Sequence, residues 1–230
     1  EYIIPSTFDP RLISVIPAAV AKAAMESGVA RKNIDDFEVY KDQLKQRLDP
    51  TVTIMQGINS FIKKNQKRIV FADGEDENTL KAAIAFKNSK LGIPILVGKE
   101  SKIKEQVKNI GYSDNFDIEI VNSKDDEKRK RYVKHLFEKL QREQGLLERD
   151  CDRLVRKDRV IWATSMVACG DADGAVTGNT RRFGASFEKI KQVVDVRDGE
   201  IMFGLNMVVH KGKTIFVGDT SVHEYPTSEQ

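Results

Sequence analysis

The densest run of potentially reactive groups is residues 169–183, Cys-Gly-Asp-Ala-Asp-Gly-Ala-Val-Thr-Gly-Asn-Thr-Arg-Arg-Phe. It reads as a helix end, an acidic turn, a short strand at 175–177, and a turn in which Gly178, Asn179 and Thr180 can aim backbone N–H groups outward. Arg181 and Arg182 follow at once. A loop that leaves the C-terminal end of a strand and enters a helix is where an open α/β sheet places anions, because unpaired N–H groups and the helix dipole favour negative charge there. Gly178, Asn179, Thr180, Arg181 and Arg182 are therefore the candidate binding residues, with a phosphate or a nucleotide tail as the natural ligand. The competing reading is a turn whose glycines serve geometry alone and whose arginines face solvent.

The other reactive side chains form no comparable constellation. Asp171 and Asp173 lack the further Asp, Asn and distal Glu of an EF-hand loop and stand near no histidine, so helix termination explains them better than a metal pair does. No metal site is expected in this chain. His135, His210 and His223 are isolated in sequence and read as surface or satisfied core residues. Cys169 has no local cation to activate it, and Cys151 and Cys169 form neither a CxxC nor a Cys/His cluster. Neither GxGxxG nor a P-loop occurs. No catalytic residue is assigned.

Composition restricts the function class. The 230 residues are 40% hydrophobic and 32% charged, an ordinary globular balance, with Lys plus Arg exceeding Asp plus Glu by only 38 to 35. That mixed surface argues against a nucleic-acid partner. The longest apolar run is too short to cross a bilayer, and no signal-like core opens the chain, so a soluble protein of the reducing cytoplasm is expected. Neither end reads as complete: residues 1–5 enter a hydrophobic run without a Met start, and residues 226–230 resemble the beginning of a further helix. Apolar surface left uncovered by missing segments should then drive self-association into a homo-oligomer.

The elements that must position the candidate loop follow from caps and periodicity. Asp9 before Pro10 predicts a helix over 10–27 stopped at Gly28, a second helix over 35–48 carries Phe37, Tyr40, Leu44 and Leu48 on one face, and Asp49 with Pro50 launches a third. From Arg68 strand and helix alternate: strand 68–72, an acidic turn at 73–77, a helix to Lys90, strand 93–97, helix 101–109 and strand 118–121. Such alternation predicts parallel βαβ units. A charged surface helix is expected over 124–144, one long helix over 151–169, another over 186–194, and an antiparallel pair at 201–209 and 214–218 turning at 210–213.

Several of these stretches resemble a known family. Gly170-Asp171-Ala172-Asp173-Gly174, Val176-Thr177-Gly178, Phe216-Val217-Gly218-Asp219, residues 226–230 and the opening strand and turn at 69–75 are similar, in order, to the phosphotransacetylases. Residues 2–12, continued by 18–28, resemble the final stretch of a bacterial malic enzyme. A malic-enzyme tail joined to a phosphotransacetylase-like domain is the arrangement of the hybrid malic enzymes. The resemblance implies an incomplete, two-domain phosphotransacetylase-like α/β fold preceded by a short all-helical segment. Its parts would be a malic-enzyme tail at 1–48, a first α/β domain at 49–150 and the start of a second at 151–230. It also implies a malic-enzyme module, outside this chain, that decarboxylates malate to pyruvate with NADP and a divalent metal, and a second module tied to oligomerisation and to acetyl-CoA.

Two departures bear on activity. Where active phosphotransacetylases show Leu-Arg-Lys before a glycine, this chain has Leu140-Gln141-Arg142 before Gly145. Where they show Leu-Arg-Pro after the Gly178 turn, it has Phe187-Glu188-Lys189. A carboxylate in place of an arginine repels the acyl phosphate that the arginine would hold. The expected function is a regulatory and assembly region that binds acetyl-CoA as an effector without acyl transfer. A domain retaining acyltransferase activity and a ligand-free structural module are the alternatives.

Overall fold

The chain is described from a computed structural model, which covers residues 12–46, 58–59, 61–112, 116–210, 213–219, 221–223 and 227. It divides into two compact units, one holding residues 1–60 with 201–230 and the other residues 61–200.

The larger unit is built on a four-stranded parallel sheet. In chain order its elements are β1 (Lys67–Phe71), α3 (Glu77–Asn88), β2 (Gly92–Val97), α4 (Glu100–Asn109), β3 (Glu119–Val121), α5 (Asp126–Gln144), α6 (Glu148–Lys157), α7 (Arg159–Ala168), β4 (Gly174–Val176) and α8 (Phe183–Val193). The strand order is β3-β2-β1-β4, with Val70 opposite both Ile95 and Ala175. Successive strand residues point to opposite faces, and the two cores divide accordingly. Phe71 and Leu96 pack with Leu80, Ile84, Ile103 and Val107 of α3 and α4. Val70, Ala72, Ile95 and Val97 pack on the other face with Tyr132, Leu136, Leu140, Ile161, Trp162 and Met166. The expected charged helix is thus α5, solvated on one side and fully buried at Tyr132, Leu136 and Leu140 on the other.

One sequence expectation is corrected here. The single helix at 151–169 is two helices, because Asp158 is extended (φ −111°, ψ 115°) and its Oδ1 accepts from the N–H groups of Val160 and Ile161, starting α7 afresh. The boundary drawn between residues 150 and 151 falls inside one unit, since β4 hydrogen-bonds alongside β1 and the helices after Cys151 cover the sheet that the earlier strands form.

In the smaller unit α1 (Leu12–Glu26) ends at Gly28, whose φ of +74° admits a left-handed stop. It packs against α2 (Phe37–Gln46), where Asp36 Oδ1 accepts from the N–H groups of Glu38 and Val39. Most of the third helix expected from Pro50 lies outside the described residues. The antiparallel pair forms as β5 (Leu205–His210) and β6 (Lys213–Gly218), with Leu205 opposite Gly218 and His210 opposite Lys213. The first strand starts at Leu205 and not at Ile201. Leu205, Val208, Ile215 and Phe216 are all exposed, and the register places Leu205 and Phe216 on one face and Val208 and Ile215 on the other.

Candidate functional site

The order β3-β2-β1-β4 puts the point where the chain reverses its direction of winding between β1 and β4. At such a point the loops leaving adjacent strands diverge and open a crevice. Here these loops are the acidic turn at 73–76 and the candidate loop at 177–182, held side by side because the Ala72 N–H donates to the Val176 carbonyl at 2.9 Å. Gly178 has φ +101°, a conformation that costs a residue with a Cβ. It turns the loop back across the end of β1.

The loop's polar side chains are engaged with carboxylates. Thr180 Oγ1 donates to Asp73 Oδ1 at 2.6 Å. Asn179 Nδ2 donates to Asp76 Oδ1 at 2.5 Å and to Thr79 Oγ1 at 3.1 Å. Arg181 NH1 donates to Asp158 Oδ2 at 2.9 Å. Arg182 stands at the N-cap of α8, exposed and without an ion pair among the described residues. Gly178, Asn179, Thr180, Arg181 and Arg182 therefore lie in the loop at the switch point. The neighbours that shape them, Asp73, Asp76 and Asp158, lie far away in sequence. The first two were visible as an acidic turn after a strand, whereas nothing marked Asp158 inside an apparently continuous helix.

Asp73 is buried and its Oδ2 has no hydrogen-bond partner among the described residues, as is also true of the buried Thr177 Oγ1 and Ser186 Oγ atoms. The crevice thus carries polar groups in excess of those its own side chains satisfy. Asp76 also accepts from the Thr79 N–H through Oδ1, capping α3.

Asp171 and Asp173 fasten the scaffold beneath the loop. Asp171 Oδ2 accepts from Arg131 and from the Tyr132 hydroxyl of α5. Burial acts to raise the Asp171 pKa, but the hydrogen bonds from Tyr132 and Arg131 outweigh it and hold the carboxyl below its usual range. Asp173 accepts the Arg68 N–H at 2.8 Å and pairs with Lys67, tying the start of β4 to β1. Burial pushes the Cys169 thiol up, outweighing the opposite pull of Arg131, a cation that the sequence did not place beside it. His135 makes a 3.0 Å hydrogen bond to the Val193 carbonyl, a structural contact. Among the described residues no group of three or more His, Cys, Asp or Glu could hold a metal ion.

The positions where the resemblance implies arginines are both peripheral. Gln141 is exposed on α5, and Glu188 is exposed on α8 and paired with Lys191 at 2.6 Å.

A parallel sheet wound on both faces, with its loops meeting at a switch point, defines an open doubly wound α/β fold. Residues 53–230 match the phosphate acetyl/butaryl transferase family, and the chain belongs to it. It is 45% identical over its whole length to an NADP-dependent malic enzyme of Rhizobium meliloti and 40% identical to a probable NADP-dependent malic enzyme of Rickettsia prowazekii, over 99% of its length. It spans about 30% of each of these relatives, matching their phosphotransacetylase-like C-terminal region. Among solved structures it resembles the EutD phosphotransacetylase from Staphylococcus aureus, with a TM-score of 0.66 and 23% identity, covering 76% of this chain and 53% of that one. That likeness establishes the fold.

Proposed function

We propose that this region regulates and assembles an NADP-dependent malic enzyme, binding acetyl-CoA at the loop after β4 without catalysing acyl transfer. The observation that carries the reading is the fate of the cations. Where the family resemblance calls for arginines the chain has exposed Gln141 and exposed Glu188, and Arg181 is bound to Asp158. A phosphate arriving at the loop would compete with Asp158 for Arg181 and meet Arg182 unopposed. That arrangement suits reversible binding of a phosphate-bearing effector better than it suits clamping an acyl phosphate in a transition state, which needs preorganised cations. The malic-enzyme module would carry NADP and the divalent metal. The free Cys151 and Cys169 agree with a cytoplasmic setting. The exposed apolar hairpin β5–β6 supplies surface for self-association, consistent with a homo-oligomer.

The test is the Arg181→Ala, Arg182→Ala double variant of the full-length enzyme. Each charge-assisted contact to phosphate contributes roughly 1.5 to 3 kcal/mol, so acetyl-CoA affinity should fall by one or more factors of about ten. Malate oxidation without acetyl-CoA should stay near the unaltered rate, and its response to acetyl-CoA should be blunted. An unchanged response sinks the assignment of this loop. The alternative, a working acyltransferase, draws its support from the family match alone.

A further inference from the structure

The C-terminal edge of the sheet has a second opening, away from the β1–β4 crevice. A cavity of about 200 Å³ lies where β2 and β3 end, lined by Lys99 and Ser123 from the strand-end loops, by Arg156, Lys157 and Arg159 from α6 and α7, and by Trp162. Its charge balance is unequal. Two carboxylates face it, Glu75 and Asp158, and both are already satisfied. Glu75 Oε2 pairs with Arg159 at 2.7 Å and Lys102 at 3.4 Å, while its Oε1 accepts the Lys99 N–H at 2.8 Å. Asp158 is taken by Arg181 and by the start of α7. Arg156 pairs with Asp152 at 2.8 Å. The ammonium groups of Lys99 and Lys157 have no ion-pair partner among the described residues.

The backbone contributes in the same sense. Lys99, which lines the cavity, is the N-cap of α4 and provides no side-chain cap, so the positive end of that helix dipole starts at the cavity's edge. Gly98 keeps the floor clear, since a Cβ there would lie 2.8 Å from Glu75 Cγ and displace the carboxylate that orders Lys99 and Arg159. Two lysines without ion-pair partners among the described residues, Ser123, and a helix start without a side-chain cap thus border one small space.

We infer a second anion site here, sized for the phosphoryl group of a phosphate monoester and separate from the loop at 178–182. The volume is below the roughly 300 to 1,000 Å³ of sites for drug-sized ligands, so the phosphoryl group enters and the rest of the molecule stays outside. The site does not depend on the acetyl-CoA reading of the other loop.

Trp162 is the chain's single tryptophan and lines this cavity, so its fluorescence reports on it. The full chain is titrated with inorganic phosphate, glycerol phosphate and, as uncharged control, glycerol, followed by calorimetry and by Trp162 emission. Saturable binding of both phosphates is expected, with glycerol silent. Lys99→Ala with Lys157→Ala, both exposed positions, should weaken binding by about tenfold or more, and Ser123→Ala by a smaller factor. Arg182→Ala, which leaves the Arg181–Asp158 pair in place, should change it by less than about twofold. Absence of saturable binding, an unchanged affinity in the double lysine variant, or loss of binding in the arginine variant instead would each overturn the inference.

Discussion

Arg181 donates to Asp158 Oδ2 at 2.9 Å, joining the loop that follows β4 to the break between α6 and α7. The same carboxylate caps α7 through its other oxygen. One residue therefore sets both a helix start and the position of a candidate ligand group. Asp158→Ala should cost about 0.5 to 2 kcal/mol, mostly through the lost cap, because a partly exposed ion pair adds little. Asp158→Asn keeps an acceptor for the cap and should cost less, while releasing Arg181 towards an anion. Urea denaturation of both variants, alongside acetyl-CoA titration, separates the two roles. Equal destabilisation by Ala and Asn would show that the cap is not the source.

A second prediction concerns the anchor under the loop. The Tyr132 hydroxyl donates to Asp171, and its ring meets Trp162 edge-on at 5.0 Å between centroids. Burial, with Asp171 beside it, pushes the Tyr132 pKa well above the ordinary tyrosine range, so the phenol stays protonated and remains a donor. Tyr132→Phe should retain the ring packing and lose the hydrogen bond, destabilising the chain by about 1 to 3 kcal/mol. The Asp171 carboxyl should then titrate higher, which carboxyl-resolved NMR would detect. No change in either quantity would remove this contact from the account.

The smaller unit carries its own pH dependence. Desolvation acts to raise the Asp219 pKa, but His223 and the N–H groups of Val222 and Ser221 prevail and lower it to about 2. An unfolded aspartate titrates near 3.9. A carboxyl depressed on folding contributes stability that is complete above the unfolded value and is lost as pH falls through the folded one. The turn after β6 should therefore lose order between about pH 4 and pH 2, and Asp219→Asn should flatten that dependence. Proton NMR of the hairpin across this range is the check, and a transition centred well above pH 4 would contradict it.

Much of this arrangement was readable from local chemistry. The alternation of strand and helix from Arg68, the helix stop at Gly145 (φ +65°) and the β5–β6 hairpin all follow from residues within a few positions of one another. What was not readable depends on distance along the chain or on local ambiguity. Thr180 meets Asp73 across 107 positions, and no periodicity announces such a pair. Asp158 interrupts what reads as one continuous helix, because the apolar residues on either side of it, Val155 and Val160, both suit a buried helix face. The return of β4 to β1 was hidden for a related reason: β4 is only three residues long, too short for its sequence to say which strand it joins.

The most direct test of the central claim is an acyl-transfer assay on the full-length protein, supplied with acetyl phosphate and CoA, run beside calorimetric titration with acetyl-CoA. The account predicts saturable acetyl-CoA binding, weakened by Arg181→Ala with Arg182→Ala, and no acetyl-CoA formation above the uncatalysed rate. Turnover that disappears in the arginine variant would contradict it and make this region a working transferase.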